Sequence, residues 1–168
     1  MSTPTREIPP RALDTILRAT GGAVTSGEVA GGLPAVEGTV TRRDRSWRLQ
    51  VVSYPGDVLV ARSFVRELVP EGCRDAAALF ANRVNWALLA GDVEVDAGDG
   101  TVRVRTSLVP QGAMISVPLV EGLLGSNIGT AALVLPALEA VAGGEDPVAC
   151  AEEVLDRIEE EGIDLSLE

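Results

Sequence analysis

From Gly91 to Leu108 the chain reads GDVEVDAGDGTVRVRTSL, two segments of apolar–polar alternation separated by Ala97-Gly98-Asp99-Gly100. A period of two marks a strand with one buried face. The four-residue loop then sets the pairing. Val95 falls opposite Val102, Val93 opposite Val104, Glu94 opposite Arg103, and Asp92 opposite Arg105. In this register the valines share one face and opposite charges share the other, whereas a slip of one residue would turn every valine toward water. The same acids, at 92, 94, 96 and 99, resemble a metal cradle. A calcium loop needs a denser acidic pattern with a distal Glu, and Asp92 and Glu94 already have basic partners across the hairpin. The stretch reads as scaffold, with no metal and no other cofactor expected.

The residue inventory narrows the chemistry further. The chain has no His, and all 14 basic residues are Arg, with no Lys. A Ser-His-Asp or Cys-His pair cannot be assembled, nor a His-ligated zinc site. Without Lys there is neither a Schiff base nor a phosphate-loop lysine. Cys73 and Cys150 lie in amphipathic helical patterns and read as small apolar core thiols of a reducing cytoplasm. No catalytic constellation emerges, and the chain is expected not to be an enzyme.

Along the chain, Pro10 with Ala12, Leu13, Ile16 and Leu17 predicts a short helix stopped at Gly21-Gly22. Residues 21–34 hold glycines at 21, 22, 27, 31 and 32 and read as a flexible connector. Residues 36–41 are a candidate strand. Trp47, Leu49 and Val51 begin a hairpin that turns at Tyr54-Pro55-Gly56-Asp57 and returns through Val58, Val60 and Phe64. Symmetric pairing places Trp47 opposite Phe64 and Val51 opposite Val60. A helix follows from Pro70, carrying Cys73, Ala76, Ala77, Phe80 and Val84, and ending at Gly91. Beyond the quoted hairpin, residues 117–141 form an apolar helical run. Asp146 then caps a last helix opened by Pro147. Strands joined by hairpins and followed by helices predict an α+β fold, a twisted antiparallel sheet packed against helices.

The net charge of -11 is uneven. Residues 145–168 hold ten acids and one base, Arg157, giving -9, which leaves -2 for the first 144 residues (13 Arg against 15 acids). Such a surface repels nucleic acid and anionic lipid. The run TRRDRSWR at residues 41–48 is the basic exception, and it reads as a solvated strand edge. The N-terminal sequence shows no signal-peptide pattern. A spanning helix needs about 20 mostly apolar residues, and residues 117–141 are broken by Ser126, Asn127, Thr130 and Pro136. They read as a buried helix of a cytoplasmic protein without membrane or nucleic-acid partners.

Val69-Pro70-Glu71, Asn82-Arg83-Val84-Asn85-Trp86, Gly91-Asp92-Val93-Glu94-Val95-Asp96 and the strand from Asp99 to Leu108, followed by Asn127 and Leu135-Pro136, together resemble the YbjN-domain family of bacterial sensory-transduction regulators. The resemblance spans residues 34–160. It leaves residues 1–33 as an N-terminal helix and connector, and residues 161–168 as an acidic tail. It implies a fold like the type III secretion chaperones, a homodimer, and a non-enzymatic module that binds a protein partner. Gly122, Gly125 and Gly129 fall on one side of the long helix, so with Asn127 they are the candidate binding or dimer surface. The alternative is a small-molecule sensor with a pocket between sheet and helices, lined by Asn85 or Asn127.

Overall fold

A computed structural model describes residues 10–163 and 167. The chain runs α1 (Pro10–Ala19), β1 (Val24–Val29), β2 (Leu33–Arg42), β3 (Arg45–Tyr54), β4 (Val58–Phe64), a 3-10 turn and α2 (Arg74–Asn85), β5 (Asp92–Val95), β6 (Val102–Leu108), α3 (Val117–Ala142) and α4 (Pro147–Glu161). The strands form one antiparallel sheet of six, in the order β1-β2-β3-β4-β6-β5. The fold is α+β, a sheet packed against helices, as the alternation and hairpin spacing predict.

The core lies between one sheet face and the helices. Val36 and Val40, Trp47, Leu49 and Val51, Leu59 and Ala61, and Val93, Val102 and Val104 are buried in a single cluster with α1, α2, α3 and α4. The register of β5 against β6 is the expected one, from Asp92 opposite Arg105 to Val95 opposite Val102. On the opposite face Arg48 stacks on Phe64 at 3.9 Å, and Arg62 donates to Gln50 and to the Tyr54 hydroxyl. Long polar side chains thus cover the few apolar groups there, a common way for Arg stems to shield apolar surface.

Two expectations need correction. Residues 24–29 are not connector but the edge strand β1, and Gly31 and Gly32, at φ of +83° and +67°, make the tight turn into β2. Glycine is favoured there because its missing Cβ opens positive φ. The β3–β4 pairing differs as well. Only Pro55, Gly56 and Asp57 separate Tyr54 from its partner Val58, so Arg48 lies opposite Phe64 and Val52 opposite Val60. An odd-length loop joins residues of equal parity. Trp47 therefore enters the core while Phe64 turns to the outer face under Arg48.

The helix α3 is long and apolar enough to cross a membrane, yet 61% of its most apolar window is buried inside the fold. It is the central core helix, contacting α1, α2, α4, β4 and β6. Asp146 caps α4, its Oδ1 accepting from Val148 N at 2.8 Å and Ala149 N at 2.9 Å. Cys73 and Cys150 are both free thiols. Burial, reinforced by Glu145, Glu153 and Asp146, pushes the Cys150 thiol above its usual range. It is an inert apolar group.

The acids of the hairpin all have local partners. Glu94 accepts from Arg103 Nε and from Arg105 Nε, each at 2.6 Å, and Asp92 pairs with Arg105. Asp96 and Asp99 accept from the backbone of Gly98 and Thr101. Burial pushes the Glu94 carboxyl up, but the hydrogen bonds and charges of the two arginines outweigh it and hold it below the usual glutamate range. A folded-state pKa lowered in this way contributes stability above the unfolded-state pKa, lost as pH falls through the folded value. Glu94→Gln should therefore cost about 0.5–1 kcal/mol at pH 7, since the pair is only partly buried. Urea titrations of both proteins from pH 7 to 3 should show that gap closing as pH falls below the usual glutamate range and Glu94 protonates; a gap that persists unchanged at pH 3 would mean the ion pairs contribute nothing.

Candidate functional site

The long helix does not present its glycines as one surface. Gly122 is exposed, with open space where a Cβ would stand, whereas Gly125 and Gly129 are buried within the chain. The three therefore do not offer a continuous face to a second copy.

The asparagines also have roles other than the expected ones. Asn127 is 0% exposed. Its amide donates to Ala61 O at 3.2 Å and Val104 O at 3.0 Å, and its Oδ1 accepts from Ser63 Oγ at 2.7 Å. Ser63 in turn accepts from Trp47 Nε1 at 2.9 Å. A buried polar group is tolerated when its partners are all supplied, and this chain of bonds pins α3 onto β4 and β6. Asn85 acts at the sheet margin. It donates to Val93 O at 3.1 Å and accepts from Val93 N at 2.8 Å, so its side chain occupies the outward edge of β5. That blunts an edge that would otherwise invite pairing with another strand. Both amides are engaged inside the protein, and neither lines the principal surface clefts.

The end of α2 and the loop after it carry the two most exposed large apolar side chains among the described residues. Four residues of α2 point inward, Ala77, Phe80, Ala81 and Val84. The helix stops at Asn85 rather than running to Gly91, and the following residues form a loop before β5. Trp86 is 87% exposed and Leu89 is 99% exposed. Leu79 and Asn82 are exposed on the same helix, at i and i+3 relative to Trp86 at i+7. That spacing places them on one side, so Leu79 and Trp86, with the polar Asn82 between them, lie along the outside of α2 and lead onto the loop before β5. In the sequence, the unbroken apolar run from Trp86 to Ala90 was the available signal. A helix surrounded by apolar residues cannot hide them all on one face.

Chemically, this corner offers a contact surface. Its side chains are indole, isobutyl and amide groups. Nearby Arg83 is tied to Glu152 of α4 at 3.6 Å. Among the described residues no group of three His, Cys, Asp or Glu side chains could hold a metal ion. No protein-family model matches the chain, and comparison with curated proteins and with solved structures returns no match.

Proposed function

We propose that this chain is a non-enzymatic protein-binding module, a YbjN-like domain with a secretion-chaperone-like fold, working in the cytoplasm. Its docking surface is the corner between α2 and β5, and the first partner is a second copy of the chain in a homodimer. The observation that carries this reading is the exposed pair Trp86 and Leu89, at 87% and 99%. Burying a large apolar side chain is worth about 1.5–3 kcal/mol, and Trp is among the residues that most often dominate interfaces. The absence of His and Lys from the sequence supports the non-enzymatic part of the reading.

Sedimentation at micromolar concentration should give twice the chain mass, and the double substitution Trp86→Ser with Leu89→Ser should return it to one. Since both residues are exposed, the variant should keep its thermal stability within about 0.5 kcal/mol. A wild-type monomer would defeat the dimer. A dimer untouched by the double substitution would remove this corner as the docking surface.

A further inference from the structure

The basic run at residues 41–48 and the lone base of the acidic segment, Arg157, are far apart in sequence, and the fold brings them together. The turn between β2 and β3 places Arg42, Arg43 and Arg45 beside α3, where Arg66 and Arg157 complete the rim of a cleft of about 190 Å³. A second space of about 460 Å³ lies beside it and shares Arg42, Arg43, Ala132 and Arg157. The larger space has an apolar floor of Ile128, Ala132, Leu133 and Ile163. Arg45 is neutralised by Glu139. Among the described residues, no carboxylate is ion-paired with Arg43, Arg66 or Arg157.

A second observation concerns the turn itself. Arg42 pairs with Arg45, so Arg43 and Asp44 are the two central residues, at φ of +46° and +66°. Both residues at positive φ define the type I′ turn, whose preferred residues are Asn and Gly. A bulky side chain there costs about 1–2 kcal/mol. Strain retained where Asn would relieve it points to a use for the side chain, and Arg43 lines both parts of the cleft.

We infer that this cleft binds a ligand carrying a phosphate group on an apolar body. Several guanidinium groups at one end match a multiply charged oxyanion, because each offers a planar fork of donors. The apolar floor takes the remainder of the ligand, and the combined space is of the size small-molecule sites commonly have. The site is separate from the α2–β5 corner and stands without the protein-binding reading. Its ligand is either a soluble phosphate ester or the headgroup of a phospholipid, which share this chemistry.

Calorimetric titration of the full chain with dodecyl phosphate, below its micellar concentration, should show saturable binding at least roughly tenfold tighter than inorganic phosphate, because the alkyl chain adds apolar burial. Arg157→Gln and Arg43→Asn should each weaken it roughly tenfold, as expected for a lost charge-assisted bond. Arg43→Asn should at the same time leave the melting temperature equal or raise it, since Asn suits the turn; a purely structural arginine would not separate the two readouts. Co-sedimentation with phosphatidate-containing phosphatidylcholine vesicles that is lost in Arg43→Asn assigns the headgroup as the source, and dodecyl phosphate binding without co-sedimentation assigns a soluble ester. Failure of dodecyl phosphate to bind saturably, or equal binding by wild type and both variants, overturns the site.

Discussion

Val104→Asp is expected to leave the chain largely unfolded at neutral pH. Val104 is 0% exposed, sits between Val93 on β5 and Ser63 on β4, and faces the helices. Its neighbours in sequence, Arg103 and Arg105, hold Glu94 on the other sheet face, so no base stands ready on the core side. An uncompensated buried charge costs about 3–5 kcal/mol, and losing the buried isopropyl adds about 1.5–3 kcal/mol. The sum approaches the total stability of an ordinary domain, roughly 5–15 kcal/mol. Val104→Ala removes volume without adding charge and should cost only about 2 kcal/mol. Circular dichroism and urea unfolding of the two variants separate the contributions. A Val104→Asp protein that unfolds cooperatively near the wild-type midpoint would mean that the valine face is not the core.

That substitution tests the part of the fold most legible from sequence. The β5–β6 register could be derived because alternation fixes the faces and a four-residue loop fixes the offset. The Asp146-Pro147 start of α4 could be read because capping is local chemistry. The edge strand β1 was hidden for an equally physical reason. It is exposed or half-exposed along its length, so it shows no alternation, and the glycines of its turn have the composition of a linker. The β3–β4 register was missed because loop length, not symmetry of the apolar residues, decides parity. The site residues were less legible still. Asn127 bonds to Ser63 and Ala61, 64 and 66 positions away in the chain, and nothing near residue 127 announces partners at that distance. Likewise, no local pattern places Arg157 beside Arg43, and helical periodicity alone cannot say that Gly125 and Gly129 face inward while Gly122 does not. Sequence periodicity tells which residues share a side of a helix, but the tertiary fold decides what covers that side.

The close approach of Val69, in the segment leading into α2, to the β5–β6 loop predicts the other large effect. Gly100→Ala should destabilise the chain by about 2–6 kcal/mol, combining backbone strain with overpacking. Gly100 has φ of +81°, and a Cβ there would stand 2.3 Å from Val69 O and 3.1 Å from Arg74 Nε. The contact cannot relax easily, because the surrounding backbone is held on several sides. Val69 N donates to Gly100 O at 2.8 Å, and Gly100 N donates to Asp96 O at 2.8 Å. Arg74, the first residue of α2, donates to Val69 O, Ala97 O and Gly98 O. Moving the loop to admit a methyl group would loosen these bonds and the adjoining pair of Val95 and Val102. Gly112 supplies the internal comparison, with φ of +84° and nothing within 4 Å of a Cβ. Gly112→Ala carries the dihedral strain alone and should cost about 1–2 kcal/mol. The difference between the two alanine variants, read from urea unfolding under the same conditions, isolates the cost of the crowded contact between the Val69 backbone and the hairpin loop. Equal losses at the two positions would show that dihedral strain is the whole effect and that the loop is free to move away from Val69.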